Sequence, residues 1–509
     1  MQSFREGVIL LIKEEKLEEA MEGHPKYRPP SLLRKIKDTR PKAKGGIANK
    51  HGIRCMQDRL TMEGNHNLLF GTADGQPLGI CYCNAITNRN LNAFILQGNT
   101  DKGMKNYIAP NLLAKHSSAV VVGADEVFNE YGATLFKEGV NFYLFQFSAQ
   151  TNAVNRYNPF SRFKNSRYIK PIAAYMAGLC QSLFHTETDK FVLRVSEDAE
   201  KAKRYFSESL DAILTIAFYY VFKSDALQDS ERSFKTAERI LHDVKLFGRQ
   251  ALEKCVLPDT DSLLDSLSVS EELLAPLLGA VLNDLSPLIT SSVFSEDENI
   301  PQFNFSVKKL VNELTYAFIP TPKTQNEKAL TEFLLAMLLR ELYDFGENDW
   351  KYSNQALENP VCFYLNDFAE YEIPNFLNYL ATTRPYGIGL SCIAHSLQEL
   401  RSMYKEMEFE TLLANVDTNL FLDMTGKDDY TYIAKIKMMP VHKDANGNEI
   451  PESKLRRMSY GEIERNLRTD PALSEQEVQK LFSDNKAIVV IRDFYPVICD
   501  ALNPNDKNT

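Results

Sequence analysis

The 509-residue chain predicts an α/β fold interrupted by an all-helical domain. Three observations carry this. Strand and helix patterns alternate from about 66 to 194, long period-3.6 patterns fill 195–350, and strand patterns return from 361 onward. The expected divisions are an N-terminal helix with a basic arm (1–55), a first α/β part (56–194), an all-α domain (195–350) and a second α/β part (351–509).

Residues 1–25 read as a short helix and its end. The arm that follows, 26–54, holds ten basic residues, among them Arg34, Lys35, Lys37, Arg40, Lys42 and Lys44, against the single acid Asp38. Its prolines and glycines argue for an extended segment. Two readings stand: a solvated tether, or a contact for nucleic acid or an anionic membrane surface. The chain as a whole has a net charge of −10, so a uniformly basic nucleic-acid footprint is excluded while a local patch is not. The eight cysteines are scattered; Cys81 and Cys83 are close but no second pair completes a zinc box, so no metal site is expected and a reducing, cytoplasmic setting fits. No signal peptide is expected, and the apolar run at 213–222 is far too short to span a membrane.

The first α/β part opens with a strand over 91–97 that runs into GNTDKGMK, residues 98–105. A helix over 107–113, the strand Ser118–Val122 and a further strand over 141–147 follow. Strand, glycine turn, helix, strand is the setting of a phosphate-binding P-loop, whose backbone N–H groups wrap phosphate oxygens at a helix N-terminus. Gly98 and Gly103 keep the G-x-x-x-x-G spacing, and Thr100 and Lys102 lie in the turn. Where the P-loop motif places Lys and Ser or Thr, this chain has Met104 and Lys105. Met104 supplies no charge, and Lys105 points about 100° further around the helix. The glycine spacing alone is a weak signal; its place after a strand strengthens it.

Helical patterns then run through 199–222, 229–256, 270–284, 305–318 and 325–344, with no strand expected among them. In the second α/β part the strand Val361–Leu365 ends in Asn366-Asp367, a pair that reads either as an Asx turn or as a carboxylate-bearing strand end of an ATPase. Strands over 389–394, 418–422 and 486–492 complete the part. His395 ends the strand over 389–394, where ligand sites lie in parallel sheets.

Taken together, these segments resemble the coupling-protein ATPases of type IV secretion, the TraG/TraD-like family of conjugative DNA transfer. The resemblance rests on KHGIR at 50–54, GNTDKGMKNYIAPNLL at 98–113, RYNPF at 156–160, the run from FYLND at 363–367 to the strand before His395, NVDT at 415–418, and KLRRMSYGEIERNL at 454–467. It covers about 50–500. It implies a RecA-like P-loop NTPase domain with an inserted all-α domain, working as a homo-hexamer on conjugative DNA or a relaxase–DNA complex, with a secretion-channel or membrane component as partner. It also implies a cytoplasmic protein held peripherally at the inner face of the bacterial cell membrane; the family's two N-terminal transmembrane helices have no counterpart in this sequence.

The departures from the family pattern are expected to matter as much. Met104 stands at the lysine position, Lys105 at the Ser/Thr position, Asn366 at the magnesium-side Asp, Asp367 at the Glu, and His395 at the sensor Gln. Arg384 resembles the family's arginine at its turn, with a subunit-bridging role or a surface ion pair as the two readings. Asp367, Asn366, His395 and Arg384 are thus the candidate catalytic residues. Binding of ATP and Mg2+ is expected to be weak or absent, with hydrolysis lost before binding because the backbone N–H groups of the turn remain.

Overall fold

The computed structural model describes residues 43–44 and 47–505, apart from 62–66, 83–86, 88, 148–154, 165, 196–198, 295–304, 349–358, 439–440, 451, 456–457, 459–461 and 464–465. Arg34, Lys35, Lys37, Arg40 and Lys42 of the basic arm therefore lie outside the described residues, and Lys44 enters a two-residue strand paired with Ile47–Ala48.

Strands β1 (Asn67–Ala73), β2 (Gln76–Cys81), β3 (Ala93–Gln97), β4 (Ser118–Val122), β5 (Asn141–Leu144), β6 (Thr315–Ile319), β7 (Val361–Leu365), β8 (Ile388–Ala394), β9 (Thr418–Asp423), β10 (Lys486–Ile491) and β11 (Val497–Asp500) form one eleven-stranded sheet. Its order is β2-β1-β11-β10-β9-β3-β8-β7-β4-β6-β5. All pairs from β9 to β5 are parallel, and β10, β11, β1 and β2 add an antiparallel edge. The central parallel strands read AFILQ, IGLSCIA, VCFYL and SAVVV and are buried throughout. Such near-continuous apolar runs are what a sheet covered on both faces requires.

Alternation along these strands divides the core. Phe94, Leu96, Val120, Val122, Phe363, Leu365, Leu390 and Cys392 pack toward the helical side. Ala93, Ile95, Ala119, Val121, Cys362, Tyr364 and Ile393 pack with Tyr107, Ile108 and Leu112 of the helix after the glycine turn. The two-residue period of a strand makes this division. Thus strands from both α/β parts interleave in one sheet, as expected.

The stretch read as helical throughout is not. Residues 305–318 hold the short helix Val307–Asn312 and then β6, inserted between β4 and β5. Tyr-Ala-Phe-Ile is a short buried apolar run, which periodicity alone does not separate from a buried helical turn. The helical layer also begins before 195: Ile169–Leu183 packs along Ala199–Lys223. Its centre is an aromatic cluster of Phe160, Phe218, Phe222, Phe234, Phe294 and Phe333, with ring centroids 4.9–6.1 Å apart.

Among the described residues one helix, Glu271–Thr290, is long and apolar enough to cross a membrane. It is a core helix of this domain. Leu274, Leu277, Leu278, Val281, Leu285 and Leu288 are buried, and the Asp284 carboxylate accepts from the backbone N–H groups of Glu187 and Thr188 at 2.7 and 2.8 Å. That carboxylate caps the N-terminus of the helix Thr186–Val195 from a distant part of the chain.

Candidate nucleotide site

The parallel strands share one register, so their C-terminal ends fall together. β3 ends at Gly98, β4 at Gly123, β7 at Asn366-Asp367 and β8 at His395. A cavity of about 510 Å³ lies across these ends, lined by Gln97, Asn99, Thr100, Asp101, Met104, Asn366, Asp367, His395 and Glu399. The carboxyl ends of strands in an open α/β sheet are where such folds bind ligands.

The glycine turn forms as the spacing predicts. Gly98 adopts φ +60°, and a Cβ there would stand 2.9 Å from the Asp423 Cβ. The helix after it opens with a wide turn over Met104–Ile108 before Ala109–Ala114. Pro110 has no N–H to return to the preceding turn, and the wide turn takes up that break, with the Ala109 N–H reaching the Met104 carbonyl.

The cations of the turn do not face the cavity. Lys102 turns to β9 and the C-terminal region: its Nζ donates to the Phe482 and Leu422 carbonyls at 2.9 and 3.3 Å and pairs with Asp423 at 3.2 Å. Lys105, exposed, pairs with Asp101 at 2.5 Å, and this pairing raises the lysine pKa and lowers that of the carboxyl. Met104 lines the cavity where the motif would place a charge.

The strand ends are joined to one another. His395 Nε2 meets the Asp367 carboxylate at 2.8 Å and Nδ1 donates to the Gly98 carbonyl at 2.6 Å. The Asp367 carboxylate, helped by that carbonyl, pushes the imidazole pKa up to about 9, so it is protonated at neutral pH and both its nitrogens donate. It cannot serve as a general base in this arrangement. Asp367 itself sits at φ +52°, a left-handed conformation that non-glycine residues seldom adopt. The Asn366 amide donates to the Gly123 carbonyl at 2.9 Å and to Asp367 at 3.0 Å. Its Oδ1, buried, has no hydrogen-bond partner among the described residues.

Arg384 is not part of this constellation. It lies in the turn before the N-terminal end of β8, whereas His395 follows the C-terminal end. Seven residues of strand separate the two by roughly 20 Å. Arg384 is exposed and does not reach the cavity of its own chain; its expected role was subunit-bridging or a surface ion pair, and one copy of the chain does not test the former.

Several residues of the site carry no motif and were missed. Gln97, Asn99, Asp101, Glu399 and Asp423 line or brace it. The one available signal was Gln97, a polar residue ending an otherwise apolar strand, AFILQ. Among the described residues no group of three or more His, Cys, Asp or Glu side chains could hold a metal ion.

Residues 277–502 match the family model for type IV secretory system conjugative DNA transfer. That segment is similar to the conjugative DNA-transfer family. The match runs from within the helix Glu271–Thr290 through β6–β11, so it takes in Asn366, Asp367 and His395 but stops short of the glycine turn. The fold extends further. TrwBdeltaN70, a bacterial conjugative coupling protein in its unbound monoclinic form, superposes with a TM-score of 0.58 at 12% identity over 89% of this chain and 91% of its own. The plasmid coupling protein TrwB in complex with ADP and Mg2+ superposes at 0.56, with 12% identity over 89% and 92%. TrwB with the ATP analogue ADPNP also superposes at 0.56, with 12% identity over 89% and 94%. No curated protein sequence matches the chain. The sheet and the inserted helices are those of a RecA-like P-loop NTPase fold with the architecture of TrwB-like coupling proteins.

The residues present do not fit a magnesium-bound triphosphate as they stand. Asp101, Asp367 and Glu399 face the cavity, and His395 is the cation among its lining residues. The orphaned Asn366 Oδ1 could accept from water, but it brings no charge to a metal.

Proposed function

We propose that this chain is a coupling-protein component of a conjugative type IV secretion apparatus in which nucleotide turnover has been lost. The observation that carries the reading is the family match over the half of the sheet that holds the Asn366-Asp367 strand end and His395. Loss of turnover is supported by the side chains: Lys102 and Lys105 are both committed elsewhere, and the imidazole and carboxylate of the strand ends are paired with each other. A phosphoryl-transfer site works by fixed charge around the transferring group, and here that charge is turned away.

In this role the protein recruits conjugative DNA or a relaxase–DNA complex to a secretion-channel or membrane component, at the inner face of the cell membrane. A homo-hexamer would bring the exposed Arg384 of one copy toward a neighbour. The basic arm at 26–54 offers the contact for DNA or anionic lipid. The alternative role is that of an adaptor that binds relaxase or a secretion partner and moves no DNA itself. DNA transfer from a donor whose copy of this gene is deleted tests the reading. We expect transfer to fall by orders of magnitude and to be restored equally by the wild-type chain and by Asp367→Asn. Unchanged transfer after deletion would remove the coupling role, and failure of Asp367→Asn alone to complement would restore a catalytic one.

A further inference from the structure

A phosphate loop binds by leaving backbone N–H groups free to point inward. In this chain one of them is already taken. The Gly103 N–H donates to the Gln97 side-chain Oε1 at 2.9 Å, in buried surroundings. Gln97 is 1% exposed and reaches back across the turn from the end of β3. Gly103 is fitted to this contact: a Cβ there would stand 2.6 Å from Gln97 Oε1 and 2.7 Å from the Ile393 Cγ2. Two further N–H groups of the turn have partners within it. Thr100 Oγ1 donates to the Gln97 carbonyl at 2.5 Å and lies 3.5 Å from the Lys102 N–H, and the Lys105 N–H reaches the Asp101 carbonyl at 3.1 Å. Lys102 fastens the turn to β9 and to Phe482, and His395 fastens Gly98 to Asp367.

We infer that Gln97 is a built-in occupant of the phosphate loop, its amide oxygen filling the place at the Gly103 N–H that a phosphate oxygen would take, so that Gln97 decides whether the loop accepts a nucleotide. This rests on reading the turn as a phosphate loop. An oxyanion can reach the Gly103 N–H after the Gln97 side chain swings out, and a carboxylate in its place would hold the N–H more firmly, because charge-assisted hydrogen bonds are the stronger ones. The sequence substitutions at Met104 and Lys105 then remove only part of the affinity; the rest is withheld by a side chain that the motif does not contain.

The test uses the full-length chain carrying Met104→Lys and Lys105→Thr, which returns the lysine and the hydroxyl, and measures Mg-ADP binding by calorimetry. Adding Gln97→Ala to this double variant should tighten binding at least tenfold (about 1.4 kcal/mol), and adding Gln97→Glu should weaken it. Amide exchange at Gly103, slow in the wild type, should quicken in Gln97→Ala. Should Gln97→Ala fail to fold, Gln97→Leu, close in size but without an acceptor, takes its place in both measurements. If the double variant binds Mg-ADP and neither change at 97 moves the affinity beyond twofold, the occupant inference is overturned while the phosphate-loop reading stands. If no variant binds and all melt like the wild type, the phosphate-loop reading itself falls.

Discussion

The helical domain and the strand-end site both bury polar groups, and they put them to different uses. In the helical domain two such groups brace helix ends, although Thr331 Oγ1 and Glu341 Oε2 of the same domain have no hydrogen-bond partner among the described residues. Arg232, 7% exposed, donates to the carbonyls of Val221, Phe222, Ser224 and Leu227 at 2.6–3.2 Å and closes the end of the long helix Ala199–Lys223. Asp284 caps another helix. At the site, Asn366 Oδ1 is left without a partner, Asp367 is held in a left-handed backbone, and the cations turn away from the cavity. Saturated networks fix a single arrangement. Strained residues and orphaned atoms persist only where surrounding structure over-determines them, and they gather at ligand sites. The difference lies in strain and in the direction of charge: the helical examples brace helix ends, whereas the strand-end site combines a left-handed backbone with cations turned from its cavity.

The comparison is broken most readily at Arg232. Arg232→Ala would leave four buried carbonyls short of a donor, and we expect a loss of at least about 3 kcal/mol in unfolding free energy. Denaturant titration measures it. A loss below about 1 kcal/mol would mean that water replaces the guanidinium at these carbonyls.

Asp284→Ala removes the cap of Thr186–Val195 and should cost about 1–2 kcal/mol in the same assay. Asp284→Asn keeps one acceptor and should recover part of it. Together these two substitutions separate a core helix from a membrane-crossing one, since a helix leaving the domain would carry its cap away.

The site side of the comparison is read through pH. The Asp367 carboxylate raises the folded-state pKa of His395 from 6.5 to about 9. A raised pKa stabilises the fold fully below pH 6.5, and that contribution fades as pH climbs through 9. The imidazole is partly exposed, so solvent screening reduces the effect to on the order of 1 kcal/mol. Unfolding free energy of the wild type should therefore decline between those limits more steeply than that of His395→Gln. Parallel slopes would show that the His395–Asp367 bridge does not hold the site together.

How far these features could be read from sequence follows the same division. The parallel core was legible because AFILQ, SAVVV and VCFYL are apolar on both faces and need cover on both. β6 was not, since its five buried residues follow a helix directly and carry no turn signal. The turn at Gly98–Gly103 and the strand-end pair at Asn366-Asp367 were legible from glycine spacing and strand-end position. The convergence of His395 on both Asp367 and Gly98 was only half legible: register brings β8 between β3 and β7, but nothing in the sequence says that the ring bridges them. The position of Arg384 ahead of β8 was legible, and it leaves this residue outside the cavity of its own chain. The direction of Lys102 and the reach of Gln97 depend on rotamers set by the Leu422 and Phe482 carbonyls and by the Gly103 N–H, far away in sequence or across the turn.

The smallest effect is expected at Lys105, and it settles what became of the missing lysine. If the lysine of the motif had merely moved one position, Lys105 would reach into the cavity and hold a phosphate. Its ammonium instead faces solvent and Asp101, four residues back on the same turn. Exposed pairs of this kind add little to stability. Lys105→Ala should therefore leave the melting temperature unchanged and release only the Asp101 carboxyl, whose pKa would rise toward its ordinary value. Phosphate release from ATP should stay at background in both chains, with or without DNA. A wild-type turnover of about 1 s⁻¹, in the ordinary range of enzymes, that vanishes in Lys105→Ala would show the opposite: a rearranged loop in which Lys105 abandons Asp101 for a nucleotide.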